Sequence, residues 1–251
     1  MHYFSPVPMM PLLEVIPHVG TCQEASASAV AVGSRQGKTA IVVKDVPGFY
    51  IRILCLGPYL VETCAMVAGG VGLEELDQAL KDYGLPVGPI TLADEVGMDV
   101  AFHVQSFLSK ADMGCRMEGG NVAIMGDMMD KGFLGRKAGK GFYLYPPGGD
   151  KKGGKSSSSK KGVNPEAIAL LKRYLEGGEG GGKLTNKLTK EEIQDRMMCR
   201  FVNEAALCLQ EGIISSPVDG DIGAVFGMGF PPFRGGPFRL LDQRGAGEWL
   251  L

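Results

Sequence analysis

The feature that most narrows the folds open to this chain is a helical pattern that occurs twice. Leu56, Leu60, Cys64, Val67 and Val71 step by four, four, three and four, which lines them along one face of a helix. Adding 142 to each number lands on Met198, Val202, Ala206, Leu209 and Ile213, all apolar again, and takes Glu62 to Glu204 and Gly70 to Gly212. Adding 148 takes Gly88-Pro89 to Gly236-Pro237, Leu92 to Leu240, Asp94 to Asp242 and Gly97 to Gly245. The difference of six falls in a loop rich in Gly and Pro. Repetition of this kind predicts two copies of one helical unit, the second stopping short after Trp249-Leu250-Leu251. Further helices are expected over 73–83 and 92–108.

Before the first copy the pattern changes. The apolar Leu12 to Ile16, the alanine-rich Gln23 to Arg35 and the β-branched Thr39 to Val43 read as strand, helix and strand, the unit of an α/β sheet. Two strands leave edges and faces bare, so this piece is expected to be the tail of a larger α/β domain, with the chain beginning in mid-domain. Between the copies, Pro146 to Gly162 contains Lys151-Lys152-Gly153-Gly154-Lys155-Ser156-Ser157-Ser158-Ser159-Lys160-Lys161 and buries nothing, which predicts a disordered linker. A run this basic also suits an anionic surface or a ligand's phosphates. Gly177 to Gly182 reads as a second flexible joint. The expected division is 1–45 for the α/β tail, 46–146 for the first helical domain, 147–190 for a linker with one short helix, and 191–251 for the second helical domain.

Composition excludes some partners. The chain has 26 Lys and Arg against 28 Asp and Glu, a net charge of −2, and so has no basic field for nucleic acid. Its six cysteines, Cys22, Cys55, Cys64, Cys115, Cys199 and Cys208, form no CxxC pair and read as reduced core thiols, with no zinc site. No run of eighteen apolar residues is present.

Two titratable residues in apolar surroundings stand out. Glu14, between Leu12-Leu13 and Val15-Ile16, would be costly to bury without a partner, and His2 is a suitable one. An imidazole can take a proton from an alcohol and return it, while a carboxylate on its other nitrogen fixes the tautomer and stabilises the imidazolium. The plainer reading puts Glu14 on the solvent side of an edge strand and His2 in a frayed terminus. His18, after Pro17, reads as a loop residue. His103 lies four residues after Asp99 on a helix, a common surface pairing, and neither has the company of metal ligands.

Four stretches in order, His2-Tyr3-Phe4-Ser5-Pro6-Val7, Leu12-Leu13-Glu14, Val43-Lys44-Asp45 with Pro47-Gly48-Phe49-Tyr50, and Gly135-Arg136-Lys137-Ala138-Gly139-Lys140-Gly141-Phe142-Tyr143, resemble the 3-hydroxyacyl-CoA dehydrogenase family over almost the whole length. Ser26 to Gly33 and Gly220 to Pro232 look like the multifunctional α subunits of fatty-acid β-oxidation, those of mitochondria above all. The resemblance implies a mainly α protein: a short remnant of a Rossmann-like NAD-binding domain, then two helical dehydrogenase C-terminal domains, the second truncated. It implies NAD-dependent oxidation of a (3S)-3-hydroxyacyl-CoA to the 3-ketoacyl-CoA, with enoyl-CoA hydratase activity in the full-length relative. His2 matches the catalytic base and Glu14 its carboxylate partner. Lys137 matches a lysine near the dinucleotide, although a solvated turn explains it equally; Arg136 and Lys140 are weaker candidates.

Two departures are visible. Ile51 stands where single-function relatives carry a substrate-contacting Asn, and Ser5 alters the family's opening motif. No GxGxxG follows a strand, so the 251 residues alone are expected to be inactive. Implied partners of the full-length protein are an acyl-CoA substrate, a thiolase β subunit, a second copy and a peripheral contact with the inner membrane. The implied location is mitochondrial, with peroxisomal and bacterial cytoplasmic relatives as alternatives. A different reading makes the chain a dimerisation and assembly module of the β-oxidation complex.

Overall fold

The computed structural model describes residues 1–52, 57–111, 116, 123–146, 161–175 and 187–245. Three strands and one helix come first: β1 (His2–Tyr3), β2 (Leu12–Val15), α1 (Gln23–Arg35) and β3 (Thr39–Val42). Helices α2 (Pro58–Ala68), α3 (Leu73–Tyr83), α4 (Pro89–Val96), α5 (Met98–Lys110) and α6 (Ala123–Asp130) follow. Then come β4 (Tyr143–Leu144), β5 (Gly162–Val163), α7 (Pro165–Leu175), α8 (Lys190–Gln210), α9 (Pro217–Met228) and α10 (Pro237–Arg244). The chain divides into two compact units, one formed by 1–59, 84–86 and 195–251 and the other by 60–83 and 87–194.

The first unit is built on the sheet β1-β2-β3, in which β2 pairs antiparallel with β1 and parallel with β3. All four residues of β2 are buried, because helices cover both faces, as parallel strands require. On one face Gly33 of α1 lets the helix down onto Leu13, whose Cδ2 lies 2.5 Å from where a β-carbon would stand. On the other, Gly227 of α9 rests against Leu12 in the same way, at 2.6 Å, and Gly223 against Ile41 at 3.0 Å. Helix α9 starts at Pro217 behind Ser216, whose Oγ accepts the Asp219 N–H at 3.1 Å. It stops at Gly229 with φ +76°. Phe201 of α8 stacks on Phe230 at 5.5 Å and meets Tyr59 edge-on, adding an aromatic core.

In the second unit α3 is amphipathic: it buries Leu73, Leu76, Ala79, Leu80 and Tyr83 and exposes Glu74 and Glu75. Where the sequence predicts one helix over 92–108, two are found. Gly97 at φ +93° breaks the run, ending α4 with its N–H on the Ala93 carbonyl and capping α5. Buried Asp77 anchors the start of α4 by accepting the N–H groups of Ile90 and Thr91 at 2.8 and 3.2 Å. The apolar face expected around Leu60, Cys64 and Val67 is buried, but so are Val61 and Met66, so α2 is enclosed nearly all round and its periodicity understates its burial.

A second, two-stranded sheet lies in this unit, where Tyr143 and Leu144 pair with Val163 and Gly162. Part of the expected linker is described, with α7 at the place of its one expected short helix. Lys161 bonds to Asp77 at 3.4 Å and lies 3.9 Å over the Tyr143 ring, Asn164 is buried, and α7 buries Ala167, Leu170 and Leu171. Lys151 to Lys160, Gly177 to Gly182, Leu56, Cys55, Cys115 and Trp249-Leu250-Leu251 lie outside the described residues. Of the described cysteines, Cys64 and Cys208 are buried, and burial pushes the Cys64 thiol up to about 12. Cys199 is half-buried and Cys22 is exposed, so the latter is no core thiol. No described helix is long and apolar enough to cross a membrane.

Candidate active site

Register brings the two singled-out residues together. His2 on β1 lies directly across from Glu14 on β2, so both side chains leave the same face of the sheet. His2 Nδ1 and Glu14 Oε2 are 2.7 Å apart. Glu14 is fully buried, whereas 19% of the His2 side chain stays open to solvent. The reading of a solvent-facing carboxylate beside a frayed terminus does not describe this geometry.

A buried carboxylate needs more than one partner. The other oxygen, Oε1, accepts the backbone N–H groups of Tyr50 and Ile51 at 3.2 and 3.0 Å. A tight turn aims these amides: Pro47-Gly48 reverses the chain with Gly48 at φ +85°, and Phe49 follows at φ +53°, a conformation side chains seldom adopt. Phe49 then places its ring 5.6 Å from the imidazole, and Phe4 stands at 4.7 Å on centroids. With Glu14 ionised, Nδ1 carries the proton and donates to it, which leaves Nε2 with a free lone pair. That arrangement can accept a proton from a hydroxyl and stabilise the cation that results. Three hydrogen bonds fix β1 and the segment after it: Lys38 Nζ donates to the carbonyls of Val7 and Met10 at 2.5 and 2.7 Å, and Tyr3 OH donates to Gln36 at 2.8 Å.

Ile51 is buried and contributes its amide to Glu14, so its side chain offers nothing polar at the place where an Asn was expected. The amides of Tyr50 and Ile51 and the ring of Phe49 were not singled out by sequence reasoning. Pro47-Gly48 was the only signal available, and a turn signal does not say where its amides point.

Lys137 sits in a different constellation. Its ammonium pairs with Asp99, whose carboxyl is held below the usual range by that bond. Arg136 pairs with Glu95 and Lys140 with Glu166, each at 3.3 Å, so every cation of this turn has a carboxylate partner. The glycines around them serve packing. Asp94 accepts the N–H groups of Phe142 and Tyr143 at 2.9 Å and the Tyr145 hydroxyl at 3.0 Å. Burial raises the Asp94 pKa and these bonds oppose the rise. A β-carbon on Gly141 would lie 2.1 Å from Asp94 Oδ1. His103 bonds to the backbone carbonyl of Asp99 at 2.7 Å, not to its carboxylate, and exposed His18 accepts the Gly20 N–H at 3.2 Å. Among the described residues no group of three His, Cys, Asp or Glu could hold a metal ion.

A dinucleotide's pyrophosphate is ordinarily received where a glycine-rich turn opens a helix. Helix α1, which follows β2, opens behind Cys22, makes no side-chain capping bond and carries Glu24 in its first turn. Gly20 is the one glycine of that turn. A carboxylate at that place repels phosphate, and the residues present there do not fit the group.

Comparison with known proteins gives a consistent set of likenesses. Residues 1–46 match the model of the 3-hydroxyacyl-CoA dehydrogenase NAD-binding domain, and residues 48–145 match that of the C-terminal domain. The chain is 46% identical over 248 residues to the fatty acid oxidation complex subunit alpha of Vibrio vulnificus, covering 99% of the chain and 32% of that protein. The subunit of the same name from Shewanella amazonensis is 45% identical over 251 residues, again with 32% of its length covered. The chain thus spans about a third of the length of these relatives. Among solved structures, 3-hydroxybutyryl-CoA dehydrogenase from Escherichia coli K12 superposes with a TM-score of 0.74 at 22% identity, over 99% of this chain and 64% of that one, a likeness of fold.

Proposed function

Because the chain belongs to the 3-hydroxyacyl-CoA dehydrogenase family, we propose that it carries the proton-transfer pair for oxidation of a (3S)-3-hydroxyacyl-CoA to the 3-ketoacyl-CoA. The observation that carries this reading is the 2.7 Å contact between His2 Nδ1 and a fully buried Glu14. Oxidation of the alcohol removes a hydride and a proton. NAD, the cofactor named by the family's N-terminal model, would supply the hydride acceptor when bound; the residues of this chain account for the proton. His2 Nε2 takes it from the hydroxyl, and Glu14, held by two amides, stabilises the imidazolium that forms. In the reverse direction the same nitrogen returns it to the carbonyl oxygen.

Substitution Glu14→Gln in the protein expressed from its complete reading frame tests this. The amide keeps the shape but removes the charge that offsets the imidazolium. The turnover number is expected to fall about 100-fold or more, with KM for the acyl-CoA little changed and assembly normal. An unaltered rate with intact assembly would favour the alternative, in which the chain is a dimerisation and assembly module.

The finer expectations follow from the same resemblance. We propose two copies of the helical dehydrogenase domain. Support comes from α4 and α10, which are both eight residues long, both begin on Gly-Pro and both end before a glycine of positive φ. In each copy an aspartate receives the N–H of the residue after that proline, Asp77 from Ile90 and Asp221 from Phe238, each at 2.8 Å. The domain division 1–45, 46–146, 147–190 and 191–251 is proposed on the same grounds. A role for Lys137 beside the dinucleotide requires its ammonium to leave Asp99. The names of the relatives support assembly as an α subunit with a β subunit, taken here as a thiolase, and an acyl-CoA substrate. Hydratase activity, self-association and membrane contact rest on resemblance alone. The relatives compared here are bacterial, so they favour the bacterial alternative and lend no support to a mitochondrial location.

A further inference from the structure

We infer that Tyr50 is a positioning residue for the His2–Glu14 pair, and that helix α9 is the surface that sets it. This rests on the reading of that pair as the proton-transfer groups. Tyr50 is fully buried and bonded at both ends. Its backbone N–H donates to Glu14 Oε1 at 3.2 Å, and its hydroxyl donates to the carbonyl of Gly220 on α9 at 3.1 Å. Between these ends the ring lies on Gly223, where an added β-carbon would stand 3.0 Å from its Cε1. Ile51, which supplies the second N–H to Oε1, bears on Gly227 one turn further along, at 3.0 Å by the same measure. Both donors to Oε1 therefore belong to residues whose side chains are seated on one helix face, while Oε2 meets His2. A shift of that face by a fraction of an ångström moves the amides, and with them the carboxylate that orients the imidazole.

The glycines of α9 serve this seating. A side chain at 223 or 227 would lift the helix from the residues that hold Glu14, and a phenylalanine at 50 would cut the ring loose from the Gly220 carbonyl. Neither change alters His2 or Glu14 themselves, so on this reading the effect belongs in turnover and not in substrate binding.

The test compares Tyr50→Phe, Gly223→Ala, Glu14→Gln and Tyr174→Phe in the complete protein, with NAD and 3-hydroxybutyryl-CoA. Tyr174→Phe is the control for loss of a tyrosine hydroxyl bond, here one of 2.7 Å to Asp127. Tyr50→Phe and Gly223→Ala are expected to lower kcat about three- to tenfold with KM within about twofold, while Tyr174→Phe leaves both unchanged. Unaltered kcat in Tyr50→Phe and Gly223→Ala, beside a lost rate in Glu14→Gln, would overturn the positioning role. So would an effect carried by KM alone, or an equal loss in Tyr174→Phe. An unaltered rate in Glu14→Gln would instead remove the reading of the pair itself. If Tyr50→Phe does not fold, Gly223→Ala decides alone.

Discussion

Phe49 occupies a left-handed conformation that costs on the order of 1 kcal/mol for a bulky residue, and what it obtains is position. The turn it completes points two consecutive amides at Glu14 and sets an aromatic ring beside His2. Elsewhere single residues matter through how little room they leave. Gly141 has none, since a β-carbon there would meet Asp94 Oδ1 at 2.1 Å and the Gly135 Cα at 2.6 Å. Gly141→Ala should therefore destabilise the protein by about 3 kcal/mol, whereas Gly162→Ala, with nothing within 4 Å of the new methyl, should stay within about 0.5 kcal/mol. Denaturant titration of the two variants checks the contrast, and equal effects would show that the packing around Asp94 yields. At this scale the sequence was legible for His2 and Glu14, because a base and a carboxylate in apolar surroundings are conspicuous. It was silent on Tyr50 and Ile51, because a backbone donor looks the same in every residue. Lys137 shows the opposite limit: a lysine on a glycine-flanked turn can reach a phosphate, but only coordinates could reveal Asp99 as its partner.

Two helices with a wet face were read with their bounds: α1 from the alanine-rich run Gln23 to Arg35 and α3 over Leu73 to Tyr83, where apolar residues recur among charged ones, whereas α2, buried nearly all round, follows a weaker rhythm that marks only part of its burial. The break between α4 and α5 was missed because a single glycine inside an apolar pattern is ordinarily tolerated. Here Gly97 adopts a positive φ and a β-carbon on it would stand 3.0 Å from the Lys137 ammonium, so the break and the packing of the glycine turn are one feature. Anchoring of α4 and α10 by an aspartate allows a direct test. Asp77→Ala leaves the buried N–H groups of Ile90 and Thr91 without their acceptor, an expected loss of about 2–4 kcal/mol. Asp221→Ala frees the Phe238 N–H in a less buried setting, with an expected loss of about 1–2 kcal/mol. Thermal melts would read both. A neutral Asp221→Ala would mean that the second anchor is a likeness of geometry without the energetic role of the first.

For the molecule as a whole, one half of the chemistry is built and the other is not visible in these residues. On the proposed reading the proton half rests on His2, on Glu14 at 2.7 Å from it and on the turn whose amides hold that carboxylate. The hydride half needs a dinucleotide held at its pyrophosphate by backbone amides of a glycine turn, and the 251 residues contain no GxGxxG. Helix α1, which follows β2, opens with Cys22 and Glu24, which do not serve in its place. Positioning supplies much of the rate of a two-reactant step, with effective molarities in the range of about 10⁵ M and above. A base gains that advantage only where the acceptor is held beside it. The purified 251-residue chain is accordingly expected to form no detectable NADH from 3-hydroxybutyryl-CoA and NAD, even when it is folded and its His2–Glu14 contact is intact. A longer protein that joins these residues to a glycine turn should form it, and should lose it on Glu14→Gln. NADH production by the isolated chain, absorbing at the nicotinamide band and abolished by Glu14→Gln, would show that these residues hold the dinucleotide by a route other than a glycine turn.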